Sequence, residues 1–589
     1  MGLRGYMKSD KDKKQPHGKK FKIGLDDLPW LVIFVGIIFT LYLQFLVPED
    51  VFFSGDAGLK ALLSKQLGAG QLRFDLVPPP QTWVQNLWNN GLYPFETPFV
   101  YNLNNKYWIT FPYTFPLVTA PFYALFGYRG FYLVPLLATW AIWLSFYWAC
   151  RRLKINSLFT AIGLAVVIFA SHLSLYSAMY WEHTLAVALA FQGFSTLLIP
   201  GNSQGLSKKD AVISGVLIGL AVWFRPEFLC LVGLCVVLVY FASLNQFRQL
   251  DFINKRLALG KLHYLTKNRE IFVISMVVTV ALFFLSNKLI YNHPLGIHAI
   301  QVVEEQTLPQ RLRDARKNFG QLSWAIFEYL PITFFPVIYL IIAAIAKRRF
   351  NIKLAAIYLI CFFFIVGVSL IVPVSTQKQI AGGLQWGTRF LLVLVPIICL
   401  VAIKELQIIQ LKAKPAVKYA CFFLVSILVV VGIHKNTFAG MAFLKKTHEG
   451  YLPAIQFLQK DPHQVIAMSH QFVAQALEPG LSRNKLFFRV EDEDSQKKGE
   501  DSEKMREDRE KKMREDSEKK MRELGKALVA QGNQSFIYVC YPHRKCRVLE
   551  AKPEALKFNK GNQRFGIKLS KLGKFGQYPI YEASIAKES

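Results

Sequence analysis

Apolar runs close to twenty residues long recur along this 589-residue chain, and they constrain its fold more than any other feature. A run of that length crosses about 30 Å of hydrocarbon as an α-helix. Helix is the form to expect, because lipid offers no partner for backbone N–H and C=O groups. Hydrophobic residues make up 52% of the chain, more than a soluble domain with such runs would carry. The sequence predicts a multi-pass α-helical membrane protein.

Charge sets the direction of threading. The net charge is +30, yet no RNA- or DNA-binding motif accompanies it, so no nucleic-acid partner is expected. Much of the Lys and Arg instead sits at the N-terminus and in short loops beside apolar runs, the positive-inside pattern. The first run, 28–47, follows Lys19, Lys20 and Lys22. It is too long for a signal-peptide core and reads as a first membrane helix after a cytoplasmic basic segment, 1–27. A large first external loop, 48–127, follows. Within it, 111–126 is broken by Pro112, Pro116 and Pro121 and is expected to pack at the outer surface. Further spans are expected near 130–150, 156–172, 183–200, 210–224, 226–243, 270–290, 323–346, 353–374, 387–403 and 417–433. That makes about eleven in a membrane domain over 28–433. Cytoplasmic loops then carry Arg151 and Arg152, Lys208 and Lys209, the cations of 244–269, and Lys347, Arg348 and Arg349. Segments 291–322 and 375–386 fall outside.

The tail, 434–589, reads as a soluble extracytoplasmic α/β domain. Strands are expected at 464–468, 485–490 and 535–539, with a helix at 524–531. A charged low-complexity insert, 491–523, repeats with Met505, Met513 and Met521 eight residues apart. Glu and Lys at i,i+4 can support a lone solvated helix that would bind a partner; the composition favours a slippage-expanded spacer. Of eight cysteines, Cys540 and Cys546 lie in this tail, where a disulfide is open if the tail is extracytoplasmic. The others sit in or beside apolar runs as small hydrophobes.

This threading puts nearly every polar cluster of note on the outer face. They are Ser54-Gly55-Asp56, Trp181-Glu182-His183, Arg225-Pro226-Glu227, Asn292-His293-Pro294 and Gln385-Trp386-Gly387-Thr388-Arg389. One active site at one membrane surface accounts for that. Asp56 suits a general base, or a helix N-cap for 59–66. Gly55 and Gly58 beside it allow another backbone or a ligand to come close. Arg225 and Arg389 suit phosphate binding, or snorkelling and pairing with a carboxylate such as Glu227. His183, His293 and His298 match no tight metal spacing, so hydrogen bonds to sugar or phosphate are expected of them. No cofactor is expected, and a divalent ion has only weak support. Glu96, Glu182 and Glu304 are candidates for a second carboxylate. The aromatic residues of the first loop, among them Trp83, Trp88, Tyr93 and Tyr107, suit sugar stacking or a membrane interface.

A Gly-Asp just past the first helix, a long aromatic first loop and Trp386-Gly387-Thr388-Arg389-Phe390 opening a late helix resemble the GT-C superfamily of membrane glycosyltransferases. These include protein O-mannosyltransferases and the lipid A aminoarabinose transferase. Phe111-Pro112-Tyr113-Thr114-Phe115-Pro116, Trp181-Glu182-His183-Thr184-Leu185 and Arg225-Pro226-Glu227 are similar to segments of bacterial members. The resemblance spans about 28–400. It implies a plasma (inner) membrane enzyme with its N-terminus cytoplasmic and its C-terminus extracytoplasmic. It also implies a polyprenyl-phosphate-linked sugar donor and a glycan, lipid or protein acceptor. Asp56 then matches the catalytic carboxylate, and Arg225, Arg389, His183, Glu182, His298 and Trp386 are the expected donor-phosphate and substrate contacts. A lone Asp stands where family loops often carry a carboxylate pair. The alternatives are a transporter or flippase of lipid-linked saccharides, or a non-catalytic scaffold.

Overall fold

A computed structural model describes residues 24–199, 206–241, 268–297, 300, 307–345, 352–372, 384–482, 484–492 and 503–588. The 244–269 loop (all but its last two residues), the Lys347–Arg349 cluster, most of the basic N-terminus, His298 and Glu304 lie outside them.

Each expected span has a helix at its place: Leu28–Leu46, Leu133–Arg152, Ser157–Phe169, His183–Leu198, Lys208–Phe224, Leu229–Phe241, Arg269–Tyr291, Phe334–Ile345, Ile352–Ile371, Leu394–Lys412 and Pro415–Ile433. Among the described residues, however, six helices are long and apolar enough to cross a membrane, or seven if one bent pair is a single span. The shortfall from eleven lies in helices such as Ser157–Phe169 and His183–Leu198, of 13 and 16 residues. Between these two the chain leaves regular helix, passes through the 3-10 turn Leu173–Ala178, and carries Trp181 and Glu182 into the interior.

Two expected spans are corrected. The region 323–346 is not one helix. Leu308–Tyr329 ends at Leu330, and the chain turns by 105° into Pro331–Ile345. Pro331 has no N–H to continue the ladder and its ring crowds the preceding turn. Part of the expected external loop 291–322 is therefore helical. The span expected at 387–403 begins only at Leu394, after a 3-10 turn at Arg389–Leu391. Residues 384–388 form an irregular strap rather than the start of a helix.

The first external loop holds the helices Gly55–Gly68 and Thr82–Leu87, the antiparallel hairpin β1 (Val100–Leu103) and β2 (Lys106–Ile109), and the helix Thr114–Phe126. The last membrane helix does not end in a linker. Pro415–Lys460 is one helical run of 46 residues, so the boundary expected at 433/434 falls within continuous helix. The tail then builds a six-stranded sheet from β3 (Val465–Met468), β4 (Leu486–Arg489), β5 (Ser535–Val539), β6 (Lys557–Lys560), β7 (Gln563–Phe575) and β8 (Tyr578–Glu588), in the order β4-β3-β5-β8-β7-β6. The three expected strands pair in parallel, and the three C-terminal strands add antiparallel. Cys540 and Cys546 are disulfide-bonded.

The charged insert is neither a lone rod nor a mere spacer in its second half. Glu503–Ala530 is a single helix whose Met521, Leu524 and Leu528 are buried against the sheet. The first-loop aromatics also take a third role. Trp83 stacks on Phe488 at 5.6 Å, and Trp88 Nε1 donates to the Phe487 carbonyl at 3.1 Å. Tyr93 stacks on Tyr107 at 3.9 Å. The two tryptophans join the loop to the tail domain, while the tyrosine pair packs within the loop. Glu96 serves the same junction, paired with Arg489.

Candidate active site

The site begins at the N-terminus of helix Gly55–Gly68. Ser54 caps it, its Oγ accepting from Ala57 N at 3.4 Å and from Trp181 Nε1 at 3.2 Å. The cap leaves Asp56 in the first helical turn, where a carboxylate is favoured by the helix dipole. The carboxylate does not cap the helix. Arg389 Nη1 donates to Asp56 Oδ2 at 3.0 Å, across 333 positions of sequence.

Arg389 is delivered by the strap. Gly387 has φ +75°, and a Cβ there would lie 2.5 Å from the buried His172 ring. Only glycine turns the chain at that point. The backbone N–H of Arg389 then donates to Gln385 Oε1 at 3.1 Å, and the guanidinium lies over Trp181 and Phe390, each centroid 5.0 Å away.

Arg225 approaches the other side of this group. Its guanidinium lies 4.9 Å from the same Phe390 ring. It donates to Glu182 at 2.8 Å and to Glu227 at 2.6 Å. Glu182 accepts in addition from Lys60 at 2.5 Å. Lys60 and Glu182 are 1% exposed, so this ion pair is fully withdrawn from water. Burial would push the Glu182 carboxyl up, but Lys60, His183 and Arg225 outweigh it and hold it well below the usual carboxylate range. Lys60, Arg225 and Arg389 thus face Asp56, Glu182 and Glu227, a charge-balanced set with an edge to solvent at Asp56, whose side chain is 17% exposed.

The predicted residues thus fall into groups. The structure brings Asp56, Glu182, His183, Arg225 and Arg389 together. His183 is buried against Trp181, Tyr176 and Phe390, and among the described residues neither ring nitrogen finds a hydrogen-bond partner. Trp386 stands one layer back, packed on Tyr329 at 5.4 Å and Phe443 at 4.9 Å. Its carbonyl accepts from Tyr176 at 3.0 Å. His293 is exposed and accepts from Leu295 N, apart from the group. Among the described residues no three His, Cys, Asp or Glu side chains gather as a metal-ligand set.

Sequence reasoning missed Lys60. Its signal was its place four residues after Asp56, which puts both on one helix face, as a lone cation among Ala57, Leu59, Ala61, Leu62 and Leu63. Such an ionisable group in an apolar setting needs a partner.

No family model matches the chain, and no curated protein matches it. Solved structures do. ArnT from Cupriavidus metallidurans bound to undecaprenyl phosphate is similar with a TM-score of 0.51 at 13% identity, covering 94% of this chain and 97% of that one. Apo ArnT from the same organism follows at 0.48 and 12%, with the same coverage. The oligosaccharyltransferase AglB from Archaeoglobus fulgidus, in complex with an inhibitory peptide and a dolichol-phosphate, gives 0.44 and 11%, covering 87% and 69%. The likeness to undecaprenyl-phosphate-bound ArnT is one of fold: a multi-pass helical membrane protein with a C-terminal domain.

Proposed function

We propose that this chain is a membrane glycosyltransferase, moving a sugar from a polyprenyl-phosphate donor to an extracytoplasmic acceptor. The observation that carries the reading is the Asp56–Arg389 pair at 3.0 Å, at the solvent edge of a buried charge cluster. The two groups come from opposite ends of the membrane domain. A lone structural salt bridge needs no second guanidinium and buried lysine beside it.

In the reaction, an acceptor hydroxyl oxygen attacks the anomeric carbon as the bond from that carbon to the phosphate oxygen breaks. The electron pair leaves with the polyprenyl phosphate, and the hydroxyl proton passes to Asp56. The sugar's configuration inverts. A guanidinium fans five donors in one plane, so Arg389 can face a carboxylate and a phosphate together. As phosphate draws on Arg389, the Asp56 carboxylate is freed to face the acceptor hydroxyl. Arg389 then meets the charge growing on the leaving group. Arg225 stands behind it, held by Glu182 and Glu227. The buried, unbonded nitrogens of His183 supply a hydrogen bond to sugar or phosphate. The tail lies outside the cell, in keeping with its Cys540–Cys546 disulfide.

The test is transfer by purified protein from a panel of polyprenyl-phosphate sugars. Asp56→Asn should abolish transfer with protein level unchanged; a fully active variant refutes the base role. Movement of intact lipid-linked saccharide without cleavage would instead identify a flippase.

A further inference from the structure

Two glycines flank Asp56 on its helix, and the tail domain occupies the space they leave. A Cβ at Gly58 would lie 1.9 Å from the backbone oxygen of Gln475, and one at Gly55 would lie 2.2 Å from Gln475 Oε1. Gln475 belongs to the tail's short helix Gln471–Leu477, which lies directly on the Asp56 helix. The junction extends on both sides. Lys65, on the Asp56 helix, donates to the Pro479 carbonyl. Gln459 Nε2 donates to the Gly480 carbonyl at 2.9 Å and reaches Asp50 Oδ2 at 3.4 Å, just before the helix begins. Gln475 is wholly buried. Its Nε2 donates to Gln471 Oε1 at 3.2 Å, and the same Oε1 accepts from Glu96 N at 3.2 Å. Gln475 is therefore held from its own side and pressed against the turn that carries Asp56.

We propose that Gln475 is a positioning residue for the catalytic carboxylate: the soluble domain sets the height and roll of the first turn, and so aims Asp56 at Arg389. This rests on the proposed transfer reaction. Its physical ground is that close-packed interiors transmit displacement rather than absorb it. A reacting group misplaced by about 1 Å loses on the order of 100-fold in rate. On this account the tail is part of the catalytic apparatus.

The contact at Gly55 is with side-chain atoms alone, which permits a compensation test. At a helix's first position, Gly→Ala should be neutral or favourable for the helix itself. In Gly55→Ala the new methyl meets Gln475 Oε1 and Cδ; Gln475→Ala removes both and leaves Cβ at 3.0 Å. Gly55→Ala should lower kcat about 100-fold with KM for the lipid donor unchanged. The double variant Gly55→Ala/Gln475→Ala should recover at least tenfold of that loss. Hydrogen exchange of the backbone at 54–58, a readout independent of turnover, should rise in Gly55→Ala and fall back in the double variant. Wild-type kcat in Gly55→Ala, or equal loss in the single and double variants, overturns the proposal. If Asp56→Asn is inactive while Gly55→Ala behaves as wild type, only this inference fails. If Asp56→Asn is fully active, the base role fails first.

Discussion

Glu182→Gln tests the charge cluster most directly. Glu182 is 1% exposed and holds two cations at once, Lys60 at 2.5 Å and Arg225 at 2.8 Å. The amide keeps the shape and removes the charge. Arg225 retains Glu227 at 2.6 Å, but Lys60 is left as a buried ammonium with no paired carboxylate. Removing one partner of a buried pair costs about 3–5 kcal/mol, because the survivor's desolvation goes uncompensated. Glu182→Gln/Lys60→Met deletes both charges and fills the lysine's volume, so most of that loss should return. The assay is thermal unfolding of purified protein in detergent, followed by transfer activity. Stability of the single variant within about 0.5 kcal/mol of wild type, the usual range for surface changes, would refute the reasoning. So would a double variant no better than the single. The pH dependence follows the same pair. Glu182 lies well below its ordinary range, so its contribution is complete above the unfolded carboxyl value of about 4.3 and is lost as pH falls through the lower folded value. The wild type should therefore lose stability in acid more steeply than Glu182→Gln.

Glu478 behaves in the opposite sense. Burial pushes its carboxyl up to about 8, and its Oε2 is sealed from solvent with no hydrogen-bond partner among the described residues. Between the unfolded value near 4.3 and about 8, the unfolded chain gives up this proton while the folded one keeps it. Stability should then fall with rising pH, by up to about 1.4 kcal/mol per pH unit. Glu478→Gln should flatten the melting temperature across that window; an unchanged slope counts against it. The proposed chemistry meets the charge on the leaving phosphate with protein guanidinium groups alone, so transfer should persist after exhaustive treatment with a divalent-metal chelator. Loss of transfer that added metal restores would require a metal step in the mechanism.

Much of the membrane domain was legible because its signals are local. A run such as 28–47 declares a helix by apolarity alone, without reference to any other segment. Strands β3, β4 and β5 were legible for the same reason: short apolar runs bounded by turns. Strands β7 and β8 were not. Strand β7 is mostly exposed and carries Lys568, Lys571 and Lys574, and the pair enters the sheet only because β8 lies against β5 and β7 against β8.

At the site, the sequence by itself singled out Asp56, Glu182, Arg225 and Arg389 and gave the expectation that they lie together on one face. Only the tertiary structure decided which charge answers which. Lys60 meets Glu182 across 122 positions, and Arg389 reaches Asp56 across 333. It also decided that the gap beside Gly58 is filled by the carbonyl of Gln475 rather than by a ligand. The reason is physical. Hydrophobicity and helix period are properties of neighbours along the chain, whereas a buried ion's partner is fixed by which surfaces pack together once water has been driven out.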